Sequence, residues 1–198
     1  SAAPSSLTER IAQQFSAQYL TALGSSPGGG VDNFQQKIIA EALIKSLAGD
    51  ALAFQDNYST AAISTKENAD GVFIKSYLNA AGGFLDKNFL GLGEPEIVIL
   101  DRAISSGDFK ELETLSDYVK AYQGAAEFFK KQMVPAGYAA IHIELMNVLN
   151  NTSMAVSYMQ ATGADPAKGL IGLSFYFKQA ERVPAISKSI QQKIKSDG

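Results

Sequence analysis

Residues 132–159, QMVPAGYAAIHIELMNVLNNTSMAVSYM, carry the most hydrophobic helical pattern of the chain and its single histidine, and a run of Asn, Thr and Ser crosses that pattern midway. Val134-Pro135 interrupts what precedes it and puts a proline near the first turn of a new helix, where the missing N–H is harmless. On a helical wheel, Ile141, Leu145, Val148, Leu149, Val156 and Met159 gather around one centre, while Ile143, Met146 and Met154 form a second strip across the helix. A helix that is apolar on two sides is expected to be flanked on both, at the centre of a bundle. His142 falls roughly 70° from the main stripe. An imidazole at the rim of a core ordinarily hydrogen-bonds a carbonyl or a neighbouring side chain and stays neutral, and that is the expectation for His142.

Working outward, Leu112, Leu115, Val119, Tyr122, Ala126 and Phe129 recur at steps of three and four after Asp108, a narrow helical seam suited to packing at a shallow angle. Before it, Pro95 fits the first turn of a short helix carrying Ile97, Leu100 and Ile104 and ending at Gly107. Ser64-Thr65-Lys66-Glu67 has the form of a capping box ahead of Phe73, Ile74, Tyr77, Leu78, Ala81, Leu85 and Phe89. Gly82-Gly83 inside that run predicts a close helix contact or a kink. Downstream, Gly163 ends the central helix and Asp165-Pro166 opens the last one, whose stripe passes Leu170, Leu173, Phe177 and Ala180 before Pro184 kinks or splits it.

Nearer the N-terminus, a capping box at Ser6-Leu7-Thr8-Glu9 opens a helix that Gly24 closes, and Asp32 opens a second that Gly49-Asp50 stops. Residues 51–64 follow neither period. With no sustained period-two segment, the chain reads as all-α: a single-domain antiparallel helical bundle of about seven helices with short connections, spanning residues 6–198. Residues 1–5 read as a flexible lead-in left after a removed signal or anchor.

Composition narrows the chemistry. A length of 198 residues with 46% hydrophobic side chains supports a sizeable core without staples, and the absence of cysteine removes disulfides, thiolate nucleophiles and zinc-thiolate sites together. A net charge of -3 without a long basic run argues against nucleic acid. No run of eighteen apolar residues is present to span a bilayer. One histidine, no E-x-x-H pair and no calcium-loop pattern leave no metal site and no cofactor to name. No G-x-S-x-G elbow occurs, and Gly28-Gly29-Gly30 lacks the strand before it and the Lys-Ser/Thr after it that a phosphate loop needs. Carboxylate pairs drawn from Glu94, Glu96, Asp101, Glu111 and Glu113 are what any acidic helix surface offers. No catalytic residue is assigned.

A functional reading of the central helix would make His142 a base or ligand, with Asn147 and Asn151 as further binding candidates and Asn150 beside them. Glu144 is a poor partner for His142, because a spacing of two residues puts it nearly opposite on the helix. A membrane-surface role for the last helix is a third reading, since Lys188, Lys193 and Lys195 share a segment with Ile186, Ile190 and Ile194.

The order of Tyr77-Leu78-Asn79, then Val134-Pro135 before a helix with His142 and Asn147, then Asp165-Pro166 leading to Tyr176, resembles N-terminally anchored all-helical proteins of ultrasmall candidate-phylum bacteria. Some of these are thought to sit near secretion or pilus machinery. The resemblance implies an extracytoplasmic domain tethered to the membrane by a segment absent from this chain; it supplies no reaction and no catalytic residue. The leading expectation is therefore a non-enzymatic extracytoplasmic domain making contacts with an envelope protein, with an exposed apolar groove near residues 25–30 or along the C-terminal helix. The alternative is a module or hydrolase for a small ligand or cell-wall fragment, with a pocket around His142.

Overall fold

The computed structural model describes residues 54–197. The lead-in, the two helices expected from Ser6 to Gly24 and from Asp32 to Gly49, and the 25–30 loop lie outside the described residues. Within them the chain is mainly helical, with α1 (Gly71–Phe89), α2 (Glu96–Ser106), α3 (Leu115–Lys130), α4 (Ala139–Gln160) and α5 (Pro166–Asp197). Five α-helices thus stand among the described residues, where about seven were expected of the chain.

The expectation of no strand is overturned. β1 (Ser64–Lys66) and β2 (Met133–Pro135) pair in parallel, with Ser64 opposite Met133 and Lys66 opposite Pro135. Both strands sit where a helix start was expected. At Val134-Pro135 the proline holds the preceding residue in extended backbone, so the chain pairs laterally before one 3-10 turn (Ala136–Tyr138) leads into α4. At Ser64–Glu67 the capping-box pattern is not used. Asn68 turns the chain with φ 49°, and α1 is capped instead by Asp70, whose Oδ1 accepts the Phe73 N–H at 2.8 Å.

Other boundaries follow the sequence. Gly107 ends α2 in the left-handed region at φ 74°, and Asp165 caps α5 by accepting the Lys168 N–H at 3.0 Å. Pro95 stands one residue before α2 rather than inside its first turn. The seam from Leu112 to Phe129 divides into a 3-10 segment (Phe109–Thr114) and α3. Pro184 does not split α5, which runs for 32 residues. Gly82 and Gly83 mark no close contact, because a Cβ on either would meet no atom within 4 Å.

α4 is central, as its two-sided pattern requires: only Ala140 and Ser157 of its 22 residues are exposed. One core cluster joins Ile99, Leu100 and Ile104 of α2 and Leu115 of α3 to Val156 and Met159 of α4 and Leu173 of α5. A second joins Ala126 and Phe129 of α3 to Met146 and Leu149 of α4. Residues 54–63 lie against α4 and α5, with Phe54 stacked on Phe175 at 3.9 Å between ring centroids. By contrast α1 buries none of its residues fully, and packs through half-buried Phe84, Leu85 and Phe89.

Candidate functional site

His142 lies fully buried where α1, α3 and α4 meet. Its Nε2 faces the Phe129 carbonyl at 3.0 Å, and its Nδ1 faces the Tyr77 hydroxyl at 2.8 Å. A carbonyl only accepts, so Nε2 carries the proton and Nδ1 accepts from Tyr77. Burial lowers the imidazole pKa, partly opposed by the hydrogen bond to Phe129. Burial, then the neighbouring Tyr138, pushes the Tyr77 phenol well above its ordinary range, which keeps it a donor. Both ring nitrogens are committed to partners within the chain, and burial favours the neutral ring. It ties three helices together.

Asn147 and Asn151, four residues apart and so on one face of α4, grip the segment before β1. Asn147 Oδ1 accepts the Tyr58 N–H at 2.8 Å and its Nδ2 donates to the Tyr58 carbonyl at 3.1 Å, in the manner of an added strand. Asn151 Nδ2 donates to the Phe54 carbonyl at 3.2 Å and to Asp56 Oδ1 at 3.0 Å. Asp56 is held in turn by both terminal nitrogens of Arg182, whose Nε donates to Glu144 at 2.8 Å. The carboxylate closest to His142 in sequence therefore faces the guanidinium of α5 and not the imidazole. Asn147→Ala is expected to lower stability by about 2 kcal/mol, since two backbone groups lose their partner. Limited proteolysis should then cut within residues 54–63 well before the wild-type chain is cut.

Three of the acidic candidates, Glu94, Glu96 and Glu111, stand in defined contacts. Arg102 pairs with Glu94 at 2.6 Å and with Glu111, and its hydrogen bond holds the Glu94 carboxyl below the usual range. Glu96, 6% exposed, receives the Tyr122 hydroxyl on Oε1 at 2.7 Å and the Tyr176 hydroxyl on Oε2 at 3.2 Å. Among the described residues no group of three or more His, Cys, Asp or Glu is placed to hold a metal ion, and no helix is long and apolar enough to cross a membrane. Of the apolar face considered for the membrane-surface reading of the last helix, Ile186 is buried while Ile194 is 46% exposed, and Lys193 pairs with Asp197 at 2.7 Å.

Among the described residues an apolar groove of about 470 Å³ opens between α1, α3, α4 and α5. Leu85 and Phe89 of α1 form one wall, Leu145, Val148 and Leu149 of α4 the facing one, and Tyr122 and Tyr176 stand beside Glu96. At its rim Leu90 is 82% and Val183 is 47% exposed. None of His142, Asn147 and Asn151 lines this groove; their side chains meet the backbone of other segments instead. Glu96 is separated from Tyr122 by 26 residues and from Tyr176 by 80, and no local pattern announces their meeting. Comparison with protein-family models, curated proteins and solved structures returns no match for this chain.

Proposed function

We propose that this chain is a non-enzymatic binding module of the cell envelope that holds an apolar guest in the groove between α1, α3, α4 and α5. The observation that carries the reading is the groove itself: a concave, mainly apolar site of about 470 Å³, within the range that accepts small ligands, open at a rim of exposed Leu90 and Val183. It lies along the C-terminal helix, one of the two places where an apolar groove was expected. The other large exposed hydrophobic side chains among the described residues, such as Val72, Val98 and Met133, are scattered along the chain. The absence of catalysis is supported by the committed state of these polar groups: His142 is doubly hydrogen-bonded, Glu94 and Glu111 are paired with Arg102, and Glu96 is covered by two tyrosines. Placement outside the cytoplasm, tethered by a further segment, rests on the resemblance and on the low charged fraction of 19%.

A protein guest is the second reading, favoured by Leu90 and Val183, which extend the apolar surface beyond the groove. An envelope protein would then seat one or two apolar side chains there in the manner of helix-in-groove recognition. Ala180 is exposed and borders the groove, so Ala180→Trp fills the mouth without touching the core. Diphenylhexatriene should brighten on binding the wild-type chain and lose at least tenfold in affinity for A180W, with the melting temperature unchanged. Equal binding by both proteins would contradict the proposal. For a protein guest, a photo-crosslinker at Val183 in the host cell should give one adduct that A180W abolishes.

A further inference from the structure

The polar atoms of the groove share one property. Its polar lining side chains are Asp86, Tyr122, Thr152 and Tyr176. Tyr122 and Tyr176 each give their only hydroxyl proton to Glu96, and Thr152 gives its proton to the Val148 carbonyl at 2.7 Å. Burial, then the Glu96 charge and hydrogen bond, raises both phenols far above their ordinary range, so they go on donating to Glu96. A carboxylate such as Asp86 offers acceptors only, and the backbone N–H groups of helix interiors are spent within the helix. Among the described residues the wall therefore presents oxygen acceptors and no spare donor.

We infer that the groove selects an apolar guest carrying a hydrogen-bond donor, a primary ammonium or hydroxyl on an alkyl chain, and rejects carboxylates. The inference rests on the reading of the groove as the guest site and specifies its ligand class. A donor head finds the unused lone pairs of Tyr122, Tyr176 or Thr152. A carboxylate head would be desolvated with nothing to donate to it and with Asp86 at the mouth repelling it. Asp86 is exposed, so the added attraction for an ammonium over a hydroxyl is modest.

The test is displacement of diphenylhexatriene from the full chain at neutral pH by octylamine, octan-1-ol, methyl heptyl ether and octanoate. These keep the alkyl body nearly constant and change only the head. Octylamine and octanol are expected to bind about fivefold more tightly than the ether, the value of one hydrogen bond, with octanoate the weakest of the four. Tyr176→Phe, which removes one acceptor, should shrink the difference between octanol and ether while diphenylhexatriene still binds. Should that variant fail to fold, the four ligands on the wild-type chain decide the matter alone. Octanol equal to the ether, or octanoate as tight as octylamine, overturns the inference and leaves the groove reading intact. Failure of diphenylhexatriene to bind, or binding that A180W does not weaken, overturns the groove reading itself.

Discussion

Replacing His142 by alanine is expected to lower the unfolding free energy by about 3 kcal/mol, read as a shift of the denaturant midpoint at constant slope. Two costs combine. The Phe129 carbonyl loses a buried donor and the Tyr77 hydroxyl its acceptor, while removal of the ring leaves a void between Phe129 and Tyr77. The same residue sets a pH dependence. Because burial depresses its folded pKa, the unfolded chain takes up a proton near pH 6.5 that the native chain refuses. Its contribution is complete above that pH and is lost as pH falls toward the lower folded value. Stability should therefore decline between about pH 7 and pH 5 in the wild type, and this part of the decline should vanish in His142→Ala. The lowered carboxyls of Glu94 and Asp197 act at more acid pH and are exposed, so they leave that window clear.

Gly172→Ala should be comparably damaging, for a reason that involves no polar group. A Cβ at Gly172 would stand 2.6 Å from the Ala155 carbonyl oxygen, 2.6 Å from Tyr158 Cβ and 2.7 Å from the Met159 nitrogen. Two of these are backbone atoms of α4, which cannot rotate aside, so α4 and α5 must separate along the buried side chains of both. Overpacking of this kind costs about 3 kcal/mol. The control is Gly83→Ala on α1, where the new methyl meets open space and alanine's better helix propensity should raise stability by roughly 0.5–1 kcal/mol. Thermal melts of the two variants should move in opposite directions. If both move down, the close approach of α4 and α5 is not what Gly172 secures.

Much of the fold was legible because its causes are local. The two-sided stripe of residues 139–160 foretold a helix buried around nearly its whole circumference, and Gly107 and Asp165 acted as stop and start for reasons written in single residues. The strands were not legible: three residues are too few to display a period of two, and Ser64-Thr65-Lys66-Glu67 satisfies a helix-start pattern equally well. Residues 54–63 had no pattern of their own because their order comes from elsewhere, from Phe54 stacked on Phe175 and from backbone groups held by Asn147 and Asn151. Those two asparagines were sound candidates for polar function by type and position, and their partner turned out to be the chain itself. The signal that could have separated the roles was their spacing of four on a helix with almost no exposed face, which favours gripping a neighbouring backbone over lining a solvent-facing pocket. The groove needed four helices and a carboxylate distant in sequence from both tyrosines, so only their assembly reveals it.

The buried polar contacts of α4 hold the scaffold, while the groove residues take the guest, and one paired measurement addresses that separation. Octylamine affinity and unfolding free energy should be determined on the same samples of wild type, His142→Ala and Ala180→Trp, under conditions where all three remain folded. Retained affinity with reduced stability is predicted for H142A, and reduced affinity with retained stability for A180W. The contrary result is an H142A protein of wild-type stability that no longer binds, or an A180W protein that binds octylamine as the wild type does.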